Sequence, residues 1–275
     1  MQNIYLFGAN GMLGNYVNKY LLKKNLNIIP LTRKDYDLTN LSIISLTNFL
    51  KDKNLKEKDI IINCAGIIPQ SSKDKELSKN MYYKINSIFP IVLSMVAINN
   101  NCKFIHITTD CVFSGKEGNY NEVSLPDEMN DYGTSKSLGE IAYGTIIRTS
   151  IIGEEENYKR SLIEWIKLNK NGEINGYSNH WWNGVTCLQL AKIIYQIIDE
   201  NLYWEGIRHI YSPTIINKYN LCKLVNEIFN LNIDIKEWYT DKVDKSIISI
   251  YDTNNSFNIP ELFEQVRELK EFKLI

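Results

Sequence analysis

Ile4-Tyr5-Leu6-Phe7-Gly8-Ala9-Asn10-Gly11-Met12-Leu13-Gly14 is the stretch that decides the fold. Four consecutive apolar residues read as a strand buried on both faces. The G-x-x-G-x-x-G run that follows provides a tight turn, a close backbone approach to a ligand and tight helix–strand contact. Leu13, Val17, Leu21 and Leu22 then keep helical spacing. A helix starting there turns unpaired N–H groups and its positive dipole end toward a diphosphate. The turn therefore points to dinucleotide binding, with Gly8, Asn10, Gly11, Met12, Leu13 and Gly14 as candidates.

Outward from this turn, strand and helix patterns alternate. Asn27 to Leu31, Asp59 to Asn63, Lys103 to Thr108 and Gly144 to Arg148 read as strands, and Leu41 to Leu50, Met81 to Ile98 and the stretch from Tyr132 as helices. The rhythm predicts an α/β fold, a doubly wound parallel (Rossmann) sheet with a smaller C-terminal substrate-binding domain. Residues 1–150 with about 185–212 are assigned to the first domain, and about 151–184 with 213–275 to the second. Residues 112–131 have turn residues and no period, a long loop of the kind that is functional or disordered. Later come a helix near Lys159 to Leu168, a Gly/Asn/Trp-rich loop at 171–184, a helix from Leu188 to Ile198 and a short strand from Ile207 to Tyr211.

Composition narrows the function classes. The chain has 275 residues, 44% of them hydrophobic and 23% charged, with net charge −1. That is an ordinary globular composition without the basic field that nucleic acid or an anionic membrane attracts. Five scattered cysteines include no CxxC, so neither a metal site nor a disulfide framework is supported. No signal-peptide pattern opens the chain, and the longest nearly apolar stretch, Ile88 to Ile98, is too short for a bilayer. The expectation is a cytoplasmic protein; homodimer formation is left open.

About twenty residues past the glycine turn stand Arg33, Lys34, Asp35 and Asp37, followed by Leu38. An acid here accepts bonds from adenosine ribose hydroxyls and favours NADH, whereas Arg33 pairs with a 2′-phosphate and favours NADPH. The reading leans to NADPH.

Three Tyr-x-x-x-Lys pairs, Tyr20/Lys24, Tyr132/Lys136 and Tyr219/Lys223, have the i, i+4 spacing that puts both side chains on one helix face. An ammonium beside a phenol lowers its pKa and lets it exchange a proton near neutrality. Only Tyr132/Lys136 follows a strand ending in hydroxyls, Thr108 and Thr109, at the sheet edge where doubly wound folds bind ligands.

FGANGMLG, INCAG, YKIN, ITTDCVFSG, YGTSKSLGE and IIRTSIIG, in this order, resemble the extended short-chain dehydrogenase/reductases. Over residues 1 to about 215 the chain is most similar to the dTDP-4-dehydrorhamnose reductase group, which reduces a nucleotide-linked 4-keto-6-deoxy sugar. The resemblance implies a catalytic triad of Thr109, Tyr132 and Lys136. It implies that Asn63, Ala65, Gly66 and Asn86 lie by the cofactor, and Asp110, Arg148, Thr149 and Ser150 by the sugar. It also implies that Tyr132 gives a proton to the sugar oxygen while Lys136 holds the nicotinamide ribose.

Two positions depart from the pattern. Cys111 stands where these reductases usually carry a Tyr, which removes an aromatic wall from the sugar pocket. Trp181 and Trp182, in YSNHWWNGVT, stack on a base or sugar or else serve the core, and His180 reads as a loop residue. Lys159, Arg160, Arg208 and Lys218 are available to phosphate, with Arg160 and Arg208 preferred. A 4,6-dehydratase or epimerase is the nearest rival, but dehydratases usually follow the Thr with Asp-Glu, and here Asp110-Cys111 follows. A non-catalytic regulatory subunit, like the methionine adenosyltransferase beta subunit that resembles the same group, is the rival from another class.

Overall fold

Burial of alternate residues on opposite faces organises the molecule. In the first strand, β1 (Asn3–Phe7), Ile4 and Leu6 enter one apolar cluster while Tyr5 and Phe7 enter another. Such a strand needs covering on both sides. The computed structural model describes residues 2–38, 41–69, 79–157 and 159–272.

After β1 come α1 (Met12–Lys23), β2 (Asn27–Leu31), α2 (Ile43–Asp52) and β3 (Ile60–Asn63). One continuous helical stretch follows, composed of α3 (Lys79–Tyr83), a π-helical turn (Lys84–Ile88) and α4 (Phe89–Asn99). Then come β4 (Lys103–Thr109), a 3-10 turn (Asp110–Val112), α5 (Asp131–Gly139), β5 (Thr145–Thr149) and β6 (Ile151–Ile152). The remainder is α6 (Leu162–Leu168), β7 (Glu173–Tyr177), β8 (His180–Trp182), β9 (Val185–Thr186), α7 (Cys187–Asp199), β10 (Gly206–His209), β11 (Ile216–Asn217), α8 (Lys218–Phe229), β12 (Asp234–Trp238), β13 (Val243–Asp244), α9 (Thr253–Ser256) and α10 (Leu262–Glu271).

Six parallel strands form the main sheet in the order β2-β1-β3-β4-β5-β10. The order reverses between β1 and β3, and the crevice beyond their C-terminal ends is where such folds hold ligands. Pro30 is tolerated because β2 is an edge strand. The helix Lys79–Asn99 is long and apolar enough to cross a bilayer, longer than the apolar run alone suggested. Its Phe89, Leu93, Val96 and Ala97 bury against the sheet as in a core helix.

Residues 171–184 are not a plain loop. They contain β7, paired with β12, and β8, which lies between β11 and β13. Strands of three to five residues interrupted by Gly176 leave little period to read. The 113–130 loop, by contrast, has neither helix nor strand and is nonetheless packed. Phe113 stacks on Tyr120 at 4.2 Å, and Tyr120 and residues 246–248 exchange backbone hydrogen bonds.

Candidate active site

The glycine turn is shaped by contact. Gly8 has φ +78°, and a Cβ there would sit 2.6 Å from the Ala65 nitrogen; one on Gly14 would sit 2.1 Å from the Gly8 oxygen. Backbone thus meets backbone between β1, α1 and the turn after β3. Gly11 caps α1 without a side-chain bond, leaving Met12 and Leu13 N–H groups pointing out of the helix end. These residues form a cradle that suits a dinucleotide diphosphate. Glu154, Glu155 and Glu156 lean over it beside Asn10 and Met12. Their carboxylates are already engaged, by Lys167, by the Arg160 and Ser161 amides, and by Lys19.

At the end of β2, Asp35 folds back to accept bonds from the Thr32 amide and hydroxyl at 2.9 and 2.8 Å. Those bonds hold its carboxyl below the usual range. Arg33 and Asp37 stand exposed, and Leu38 packs into the core. After β3, the Asn63 carboxamide accepts from the Ala65 amide at 3.0 Å and faces His106 at 3.1 Å. Asn86, in the π-helical turn, exchanges bonds with the Ile67 amide and carbonyl at 2.9 and 3.0 Å and donates to Ser135 at 3.1 Å. Both asparagines are therefore tied to their neighbours and brace the turn after β3. The π-helical turn has a local cause: Pro90 lacks the N–H that would bond the Asn86 carbonyl.

That carbonyl is where α5 docks. A Cβ on Gly139 would sit 2.1 Å from it, and the Ser87 hydroxyl bonds the Ser135 carbonyl at 2.6 Å. The close approach drives Lys136 into the interior, 7% exposed. Its Nζ donates to the Ile107 carbonyl at 3.4 Å, and a Cβ on Gly66 would lie 3.1 Å from that nitrogen. Lys136 thus touches the turn after β3. Burial pulls its pKa down to about 8, against the raising influence of Glu140, Cys64 and Cys111.

Thr109 ends β4. Its hydroxyl accepts from the Cys111 amide at 3.1 Å and donates to the Asp110 carboxyl at 3.2 Å. It is also the hydrogen-bonding influence that lowers the Tyr132 phenol. Burial prevails and holds Tyr132 well above its ordinary value, with the Cys111 thiol adding to the rise. The expected depression by Lys136 is not found, because the ammonium is directed at Ile107 and Gly66. Tyr132 accordingly keeps its proton at neutral pH, the state a proton donor needs.

Three residues lie otherwise than the sequence implied. Arg148 is 2% exposed, with Nε and one terminal nitrogen on Glu140 at 2.8 and 2.6 Å and the other on His209 at 3.0 Å. Its guanidinium also faces the Phe113 ring at 5.0 Å. Enclosed at 2% exposure, it offers no surface to a substrate, so its place is structural. Trp182, 3% exposed, belongs to the core and carries Lys218 over its ring at 4.9 Å. His180 lies in β8, stacked on Tyr177 at 4.4 Å, and not in a loop. Trp181 remains half-buried. Arg160 is half-buried with its amide tied to Glu155, beside the glycine turn, while Arg208 lies between Trp204 and Tyr251 and donates to Thr253.

Asp110 is the polar centre of this side, 2% exposed, with its carboxyl raised by burial against the lowering influence of Lys245, Ser150 and Lys218. The Cys111 thiol, pushed up by burial to about 12, stays protonated. Lys245 and Glu140 escaped sequence reading. Glu140 had a signal, one helical turn past Lys136; Lys245 lies in a stretch without period.

Comparison with known proteins adds to this geometry. The family model described as RmlD substrate binding domain matches residues 1–243. A dTDP-4-dehydrorhamnose reductase of Aggregatibacter actinomycetemcomitans is 28% identical over 236 residues, 80% of this chain and 76% of that protein. The spore coat polysaccharide biosynthesis protein SpsK of Bacillus subtilis is 25% identical over 91% of this chain and 89% of its own. The dTDP-4-dehydrorhamnose reductase of Bacillus anthracis, solved in complex with NADP, superposes with a TM-score of 0.82 at 23% identity, covering 99% of this chain and 100% of that one.

Proposed function

Because the chain belongs to the family described as RmlD substrate binding domain, we propose that it reduces the 4-keto group of a dTDP- or UDP-linked 4-keto-6-deoxyhexose with NADPH. One observation carries the reading. Thr109, Tyr132 and Lys136 converge at the C-terminal edge of β4, and Lys136 abuts Gly66 on the turn that packs against the glycine cradle.

The nicotinamide supplies the hydride when bound. The protein's part is to bind, orient and move one proton. The α1 N-terminus holds the diphosphate, with Arg33 beside the adenosine ribose as the partner for a 2′-phosphate. Thr109 hydrogen-bonds the sugar's carbonyl oxygen, and the protonated Tyr132 donates to that oxygen as charge builds on it. Lys136, an ammonium below about pH 8, holds the nicotinamide ribose. On the sugar side Asp110 and Ser150 face the ring, Trp181 forms a half-exposed wall, and Lys218 and Lys245 supply the positive charge a sugar diphosphate requires. A dehydratase's second carboxylate has no counterpart, since position 111 is a protonated thiol. The reading assigns residues 1–150 and 185–212 to the cofactor and the rest to the substrate.

The test is NADPH consumption with dTDP- and UDP-linked 4-keto-6-deoxyhexoses, with and without a 2-acetamido group. Steady consumption with at least one is expected. NADPH binding without consumption of any would overturn the reduction.

A further inference from the structure

Asn63 ends β3, and His106 stands beside it in register on β4; both are buried. A carboxamide has one accepting end and one donating end. The Asn63 oxygen accepts from the Ala65 amide at 3.0 Å, so its NH2 is the end that faces His106 Nδ1 at 3.1 Å. Nδ1 must then accept, and a neutral imidazole in that role carries its proton on Nε2. Burial, with the Lys136 charge, pulls the ring's pKa down to about 3 against the Asn63 carbonyl, which favours a ring proton. The ring therefore carries no charge at neutral pH. Nε2 has no hydrogen-bond partner among the described residues, which leaves the bond to Asn63 as the one the ring makes there.

That bond bears on the turn that follows. The sheet ends at Asn63, and while the Cys64 amide still bonds the Phe7 carbonyl at 3.0 Å, the Ala65 amide is held by the Asn63 side chain. Ala65 N is also the atom that a Cβ on Gly8 would meet first, at 2.6 Å. One residue on, a Cβ on Gly66 would meet Lys136 Nζ at 3.1 Å and Asn86 Oδ1 at 3.3 Å. Residues 64–66 are thus wedged between the glycine cradle and Lys136, with no room for an added carbon on either side.

We propose that His106 is a positioning residue for cofactor binding: by accepting from the Asn63 carboxamide it fixes which end of that group faces Ala65, and so sets the turn that separates the glycine cradle from Lys136. This rests on the reductase reading above. Without the ring acceptor the Asn63 NH2 is buried and unpaired, and the carboxamide gains by turning to pair it at the expense of the Ala65 bond. A turn released in this way intrudes on the cradle or on Lys136, because neither side is open.

The test compares His106→Leu, which removes the acceptor, with His106→Asn, whose shorter side chain keeps an oxygen near the place of Nδ1 and gives up only the unbonded Nε2. NADPH affinity is read by fluorescence without any sugar, well below the thermal midpoint of each variant. His106→Leu should bind NADPH about tenfold more weakly than the wild type. His106→Asn should restore affinity to within about twofold. A ring that merely fills the core would lower both thermal midpoints and leave affinity unmoved; that result, or equal loss of affinity in both variants, overturns the proposal. NMR of the imidazole nitrogens needs no variant: the wild-type proton should sit on Nε2, and a proton on Nδ1, donated to the Asn63 carbonyl, overturns it as well. A wild type that binds no NADPH would instead overturn the reductase reading.

Discussion

Helices α5 and α8 carry the same Tyr-x-x-x-Lys spacing and put it to different physical use. In α8, Lys223 is exposed and lies over the Tyr219 ring at 5.1 Å. The third pair behaves alike: exposed Lys24 on α1 lies 5.7 Å from the Tyr20 ring and 4.9 Å from that of Tyr195. Each lysine drapes its stem along an aromatic face and keeps its charge in water. In α5 the close docking at Gly139 and Ser135 buries Lys136 and brings its ammonium to Ile107 and Gly66. Spacing puts two side chains on one face; the packing of that face decides whether the lysine stays on the surface or is buried.

The largest effect that tests this contrast is Tyr132→Phe. Loss of the proton donor should lower kcat by roughly 10²–10⁴-fold while NADPH affinity changes only a few-fold. Tyr219→Phe, which removes the equally spaced phenol of α8, should leave kcat within about twofold, since its ring keeps its packing against Gly176 and under the exposed Lys223. Comparable losses in both variants, measured as NADPH consumption, would erase the distinction between the helices.

A smaller effect follows from pH. The folded pKa of Lys136 is lowered to about 8, so its charged form is complete well below that value and is lost as pH rises through it. Turnover should therefore decline on the alkaline side by up to about tenfold per pH unit. A flat profile to pH 10 would show that the Lys136 charge is irrelevant.

The legible part of the molecule is the part built from long periods. Strands such as Ile60–Asn63, buried residue by residue, and the glycine turn, where added carbon would collide with backbone, leave a local mark in the chain. The strand-end hydroxyls singled out Tyr132/Lys136 in the chain, and of the three lysines Lys136 is the buried one. The surroundings of Asp110 were not legible. Lys245 approaches Asp110 from more than a hundred residues away, and its place depends on β13 pairing with β8, strands of two and three residues. Arg148 was misplaced for a related reason: a charged residue at a strand end reads as a ligand contact unless its partners, Glu140 and His209, are seen to enclose it. Buried charge pairs are long-range facts, and a local reading has no means to count them.

The smallest expected effect concerns exposed charge at the cofactor side, where the contrast between buried and surface cations sharpens. Arg33 is exposed at the end of β2, while Asp35, the nearest acid, is turned inward on Thr32. Beside the engaged Asp35, Arg33 and Asp37 are exposed. A guanidinium gains on a 2′-phosphate through charge-assisted bonds, but at an exposed position water and salt reduce the gain. Arg33→Ala should therefore weaken NADPH by about tenfold at low salt and NADH by less than about twofold, with the difference shrinking as salt is raised. Equal loss for both cofactors in parallel titrations would remove Arg33 from the 2′-phosphate and leave Asp37 as the residue that reads the ribose.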